Sequence, residues 1–331
     1  MNAHASNESD ESSPLKSRLE KVDEFQKEHE RVGVLVAVVK KFGEDKSTNL
    51  ASMIAFWAFF SIFPLFMVFV TLLGFFLPGS DKASVLQKVS SMFPLLNTSA
   101  AGALHGAWWA LIIGLITALW SGSAVVRTTQ FAFNSVWEVP YKEQPKLLEQ
   151  VGRSVLVLAT LGAGLVVSVL ITGLISGTAN GLSIGWFGHI IGYVIAIALD
   201  VGLFLVAFRW LTDRDVSFRD VLPGALLSGI AFWILQSISS LIISRYLQNA
   251  SSTYGNFATV ITILWWFYLQ SIITLFGAQL NVVLKERLHP RGLVDAPDTH
   301  ADRRAYDMYA KERTYHDDER VHTRFPEDRE R

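Results

Sequence analysis

The chain contains no cysteine among its 331 residues. That absence excludes disulfides, thiolate metal sites and thiol catalysis, although it does not identify a compartment. There is also no HxHxDH-like run, no glycine-rich phosphate loop, and no basic surface with interleaved aromatics outside the apolar segments. Hydrolysis of RNA would need a metal centre or an acid/base pair beside the nucleic acid. Ribonuclease activity, a nucleic-acid partner and a cofactor are therefore not expected, and the chain is read as a non-enzyme. A formal net charge of −1 gives no whole-protein argument for binding a polyanion. The opening MNAHASNESDESSPL is polar and acidic and lacks the apolar core of a signal peptide, so the first membrane helix is expected to do the targeting.

Charge is scarce overall, at 18% of residues against 50% hydrophobic, and its distribution decides the class. From Val221 to Tyr246 and from Ala258 to Leu284 the chain stays apolar for longer than the roughly 20 residues a helix needs to cross a bilayer. No charge interrupts either piece before Arg245. These two form a membrane hairpin. Four similar stretches precede it, giving expected spans at about 50–77, 104–126, 154–177, 186–211, 221–246 and 258–284 within a transmembrane domain of residues 49–288. The second helix is expected to continue past the membrane to Trp137. Pro64, near the centre of the first span, is expected to kink it, with Ser61 helping to satisfy the freed backbone group. The fold class is thus all-α, a polytopic membrane protein.

Outside the spans, residues 1–14 read as disordered, and 15–48 as an amphipathic helix with Leu15, Leu19, Val22, Phe25 and Val32 at helical spacing. Such a helix lies either on the membrane surface, with Lys40 and Lys41 near lipid headgroups, or on the protein's own face. Residues 289–331 mix both signs of charge with few apolar residues and read as a disordered tail. Loop charge sets the orientation. Thirteen Lys and Arg, from Lys40, Lys41 and Lys46 through Arg127, Lys142, Lys146 and Arg153 to Arg209, Arg214, Arg219, Lys285, Arg287 and Arg291, fall near one face, and only Lys82, Lys88 and Arg245 near the other. Both termini are therefore expected to be cytoplasmic.

Several motifs in order carry a resemblance. NLASMIAFWAFFSIFPLFMVFVTLLG, then Trp120-Ser121-Gly122-Ser123 with Arg127, Asn134, Trp137, Val139 and Pro140, then Pro223-Gly224-Ala225-Leu226-Leu227, Tyr254-Gly255 and Gly277-Ala278-Gln279-Leu280-Asn281 resemble the YihY/BrkB family. That family comprises bacterial inner-membrane proteins once labelled ribonuclease BN. The resemblance covers about residues 35–288 and implies six membrane helices in the plasma membrane. It implies no settled activity. Thr212 stands where the family often has proline, so that turn is expected to differ.

Function must then come from polar groups inside the spans. Asp200, Arg127, Gln130, Asn134, Gln236 and Gln270 are the candidates for an intramembrane polar site. Two readings use them differently: a transporter or lipid-handling protein would turn them toward a lipid or small solute, whereas an accessory protein would use them only to join helices. The first is favoured. An unpaired Asp200 at mid-span would cost roughly 2.5–3.5 kcal/mol, so it should face the bundle interior. Arg127 is its expected partner, with a protonated Asp200 bonded to a neighbouring Ser or Gln as the alternative.

Overall fold

The computed structural model describes residues 14–76, 108–146, 149–160, 163, 186–254, 257–293 and 299–325. Residues 1–13, the connector over 79–102 and most of the span expected over 154–177 lie outside the described residues. The described elements are all helical. In order they are α1 (Pro14–Glu28), α2 (Glu30–Glu44), α3 (Ser47–Phe76), α4 (Trp108–Val136), a 3-10 turn (Tyr141–Glu143), α5 (149–160), α6 (Trp186–Trp210), α7 (Phe218–Tyr254), α8 (Phe257–Lys285) and α9 (His300–Glu312).

Local chemistry explains several of the ends. Ser217 and Asp220 bond reciprocally, Ser217 N to Asp220 Oδ2 at 2.9 Å and Asp220 N to Ser217 Oγ at 3.4 Å, and so start α7. Thr299 and Asp302 form the same box ahead of α9. At the other ends the chain turns through left-handed residues that are not glycine: Lys46 after α2, Glu138 after α4 and Arg287 after α8, with φ of 52°, 52° and 53°. Val139 N then bonds Asn134 O, and Leu288 N bonds Val283 O, each at 2.9 Å. These bonds satisfy carbonyls that the ending helix leaves free. At Thr212, where the resemblance implies proline, the hydroxyl donates to Phe208 O at 2.8 Å and serves the end of α6.

Five of the described helices contain stretches long and apolar enough to cross a membrane: Ser47–Leu65, Ile112–Val136, Ile191–Trp210, Phe218–Ile238 and Val260–Lys285. Only 11–39% of each stretch is buried in protein. Their outward faces are greasy, as with Phe56, Phe60 and Phe63 on α3 and Ile112, Ile116 and Trp120 on α4. Such rows require a bilayer as solvent, since a soluble protein does not leave contiguous apolar area of that extent in water. The chain is an all-helical membrane protein.

Within the bundle α3 packs mainly on α4 and α8, and α7 on α8 and α6. The α7/α8 crossing is built from the two family motifs. A Cβ on Gly224 would be driven into the Gly277 carbonyl, and one on Gly277 into the Ser228 hydroxyl, so only glycine lets these backbones touch. Gly224 N donates to Asn281 Oδ1 at 2.6 Å. Pro223 lies inside this helix, one residue before that N–H.

Three expectations are corrected here. α3 is helical on both sides of Pro64, and it is the role given to Ser61 that is corrected: its Oγ donates to Ala58 O at 2.7 Å, not to the carbonyl that the proline displaces. The N-terminal amphipathic segment is two helices, broken at His29, and α2 buries Gly33, Ala37, Val38, Lys41 and Phe42 against the protein itself. Lys40 and Lys41 therefore do not reach for headgroups. Residues 289–331 are not uniformly disordered, because α9 folds onto the bundle with Ala301, Asp302 and Ala305 buried and Met308 and Tyr309 packed against the core. Its charges, which suggested a solvated tail, are met by opposite charges from α2 and the segment after α8.

Candidate functional site

The termini of the helices are tied to one another at a single end of the bundle. Lys285 reaches Asp220 at 2.7 Å, Arg214 reaches Glu286 at 2.9 Å, and Arg153 pairs with Asp213. This polar end also receives α2 and α9. Lys41 sits at its centre, fully buried, with Nζ at 2.7 Å from Asp45 Oδ2 and 2.6 Å from Glu138 Oε1. Gln279 of α8 donates through Nε2 to Asp45 Oδ2 at 2.6 Å and Ser47 Oγ at 3.0 Å. The Tyr309 ring lies 5.0 Å beneath the ammonium, and its hydroxyl donates to Glu44 Oε2 at 2.7 Å.

A second layer clamps α9. Arg291, also fully buried, bonds Asp302 through Nε at 2.6 Å and Glu44 through Nη2 at 3.0 Å. Asp302 further accepts from Lys40 Nζ at 3.0 Å and Gly292 N at 2.8 Å. Burial alone would push the Asp302 carboxyl up, but the bonds from Arg291, Gly292 and Lys40 outweigh it and hold it down at about 2. Burial opposes the charge on Lys41 as well, yet Asp45 and Glu138 keep its ammonium above the ordinary lysine value. The carboxylates cannot both benefit equally. Burial raises Asp45, and it pushes Glu138 up to about 9 against the pull of Lys41, with Asp45 and Glu312 adding repulsion. Glu138 is also held in a left-handed backbone, which costs a residue with a Cβ about 1 kcal/mol.

A cavity of about 450 Å³ opens beside this cluster, lined by Glu138, Pro140, Glu143, Arg214, Glu286, Arg304, Asp307 and Lys311 among others. Among the described residues no three His, Asp or Glu side chains converge to hold a metal ion.

The sequence-predicted polar residues do not gather into one site. Arg127 turns back along its own helix, with Nε donating to Ser123 O at 3.4 Å. Gln130 and Asn134, one turn apart on α4, join helices: Ser154 Oγ donates to Gln130 Oε1 at 3.4 Å, while Asn134 Nδ2 donates to Asp213 Oδ2 at 2.7 Å and its Oδ1 receives Asp213 N at 2.9 Å. Gln236 is exposed and Gln270 half-buried. Asp200 is half-buried, and no ion pair joins it to Arg127. The expected pair does not form, because Arg127 is one turn before Gln130 and is satisfied locally. What sequence reading missed is the Lys41–Asp45–Glu138 and Arg291–Asp302 network. Its local signals were the i, i+4 pairs Lys40/Glu44 and Lys41/Asp45 and the Thr299-x-x-Asp302 box.

Residues 38–302 match the family described as Virulence factor BrkB. The chain belongs to that family. The matched segment takes in Lys41, Asp45, Glu138, Gln279, Arg291 and Asp302, and stops before Tyr309 and Glu312. Over 271 residues the chain is 26% identical to a Bacillus subtilis protein, YfkH, whose name calls it ribonuclease-like, and this covers 74% of the chain and 91% of YfkH. A UPF0761 membrane protein of Pseudomonas paraeruginosa is 28% identical over 192 residues, 56% of the chain and 44% of that relative. One from Pseudoalteromonas translucida is 24% identical over 57% of the chain and 61% of its own length. The chain thus spans only about half of these UPF0761 relatives. No solved structure matches it.

Proposed function

We propose that this BrkB-family chain is a transporter or lipid-handling protein of the plasma membrane, acting on a lipid or small solute without enzymatic chemistry. The observation that carries the reading is Asp200. It lies within the apolar stretch Ile191–Trp210, half-buried, and no hydrogen bond or ion pair reaches it among the described residues. A carboxyl so placed costs folding energy, which makes it a candidate for a group that handles what passes. The accessory reading has its own support in Gln130 and Asn134, which join helices as structural glue would. Flux of fluorescent lipid and of small solutes across reconstituted vesicles separates the two. Wild-type protein is expected to catalyse flux of one of them, and Asp200→Asn to reduce it at least about tenfold, a change of about 1.4 kcal/mol in the barrier. Absence of any flux in the wild type would favour the accessory role.

The orientation proposed is with both termini, and hence the polar end, in the cytoplasm, as the concentration of Lys and Arg there supports. Because the native chain has no cysteine, single-cysteine labelling reads this directly. Asp81→Cys is expected to react in intact cells, and Lys142→Cys and Arg214→Cys only after permeabilisation. Strong labelling of the last two in intact cells would invert the topology.

A further inference from the structure

α2 carries two apolar faces, and the protein covers only one of them. Gly33, Ala37, Val38 and Phe42 are buried, whereas Val32, Leu35, Val36 and Val39 recur at i, i+3, i+4 and i+7 along the opposite side. Val32 and Val36 are half-buried, but Leu35 is 65% exposed and Val39 63%. No charged residue interrupts the segment 32–39. Single exposed apolar residues need no explanation, but an uncharged row at helical spacing does.

Contacts with α8 fix the height of that row. Gly33 lies against Pro290, beyond the end of α8, where a Cβ on the glycine would sit 3.6 Å from the proline Cβ. Phe42 stacks on Phe276, with ring centroids 4.1 Å apart. α2 therefore descends toward the membrane from Gly33 to Phe42, beside the last turns of the apolar stretch Val260–Lys285. Ser47, the first residue of α3, is level with Gln279, whose Nε2 donates to its Oγ at 3.0 Å. Gln279 is six residues before Lys285, about 9 Å of helix at 1.5 Å per residue. Over that length the helix beside α8 is α2, because α3 begins only at Ser47. Elsewhere at this height the surface is apolar: Leu284 adjoins Lys285, Leu222 follows the Asp220 that Lys285 holds at 2.7 Å, and both leucines are exposed. Exposed Thr48 and Asn49 at the start of α3 make this level the headgroup–acyl boundary and not the hydrocarbon centre.

We propose that the outward face of α2 is a lipid-binding surface, with Val32, Leu35, Val36 and Val39 seated in the headgroup–acyl boundary of the leaflet at the polar end. The row continues the apolar belt of α7 and α8 across the sector where α3 starts too deep to supply it. Lys40 and Lys41 take no part in the contact, since Lys40 bonds Gly292 O and Asp302, and Lys41 bonds Asp45 and Glu138. The surface thus meets the upper part of the acyl chains through apolar area and does not select anionic headgroups. One helix thereby holds the leaflet on one side and the buried ion cluster on the other. None of this depends on whether the chain carries a solute.

The test uses the full chain with a single cysteine, Leu35→Cys or Val39→Cys, labelled with a bimane and reconstituted in phosphatidylcholine vesicles; the absence of native cysteine makes the label specific. Emission is quenched in turn by a nitroxide high on the lipid acyl chain and by iodide present on both sides of the membrane. Met53→Cys, on the exposed face of α3, is the lipid reference, and Lys142→Cys, exposed at the polar end, the aqueous one. Both α2 positions are expected to lose most of their emission to the lipid nitroxide and little to iodide, as Met53→Cys does. Four residues of helix rise about 6 Å, so a nitroxide lower on the chain should quench Val39→Cys more than Leu35→Cys. Iodide quenching as strong as at Lys142→Cys would overturn the proposal and leave the row in water. Weak quenching by both agents would overturn it as well, because protein, either a second copy of the chain or the residues before α1, would then cover the row. Both side chains are exposed, so neither substitution opens the core, and either variant alone carries the test.

Discussion

Lys41→Met is expected to destabilise the folded protein by about 3–5 kcal/mol, because it leaves Asp45 and Glu138 buried together with no counter-charge. Methionine fills much the same volume, so the loss reports the missing charge and not a cavity. Nearby carboxyls respond to such a loss by taking up protons, which gives the variant a distinctive pH dependence. In the variant both carboxyls are raised further, and a raised group stabilises the fold only while it is protonated. The destabilisation should therefore shrink at about pH 5 and grow at about pH 8. Thermal unfolding in detergent, followed by tryptophan fluorescence or aggregation, reads this as a drop in Tm that is larger at the higher pH. A loss independent of pH would mean that Lys41 acts through packing alone.

The pattern of what was legible in the sequence follows from the range of the forces involved. Apolar length is a local property, and it located the membrane helices, since a run such as Val260–Lys285 needs no partner to be recognised. Gly224 and Gly277 could be flagged as small residues but not matched, because that they face each other is a property of the packed pair. The cluster was the hardest to see. Lys41, Glu138 and Arg291 are ordinary solvated residues in any local window, and only the docking of α2, α4, α8 and α9 on one another turns them into buried charges. Conversely Asp200 and Arg127 both stood out in apolar sequence, and standing out was not enough to pair them. Arg127 lies nine residues before the end of α4 and found a carbonyl of its own helix. The C-terminal segment misled for a related reason. Its mean composition is that of a solvated tail, whereas its order depends on the spacing of Ala301, Ala305, Met308 and Tyr309 and on charges supplied by residues some 250 positions earlier, such as Lys40 to Asp302.

That dependence makes the Arg291–Asp302 pair the second place where one substitution should have a large effect. Both side chains are fully buried, and Asp302 is the point where Arg291, Lys40, Gly292 and the cap residue Thr299 converge. Asp302→Ala removes an acceptor from two cations and the N-terminal cap partner of α9 at once, and is expected to cost the docked helix about 3–5 kcal/mol. Arg291→Met should cost a similar amount by leaving Asp302 with Lys40 alone. The two losses share one interaction, so the double variant should lose less than their sum, by roughly 1–3 kcal/mol. The helix should come free while the spans stay folded, since its clamp lies outside the membrane core. Limited proteolysis within residues 299–325 in vesicles measures this, with intact membrane helices as the internal control. Asp302 is held down at about 2, so its contribution is present above the ordinary aspartate range and is lost only as the pH falls through that range toward about 2. Protection of α9 in the wild type should accordingly fall on the acid side, and Asp302→Ala should remove that acid dependence. Unchanged protease resistance in Asp302→Ala, or strictly additive losses, would show that apolar contacts of Ala305 and Met308 hold the helix and that the buried ion pair only decorates it.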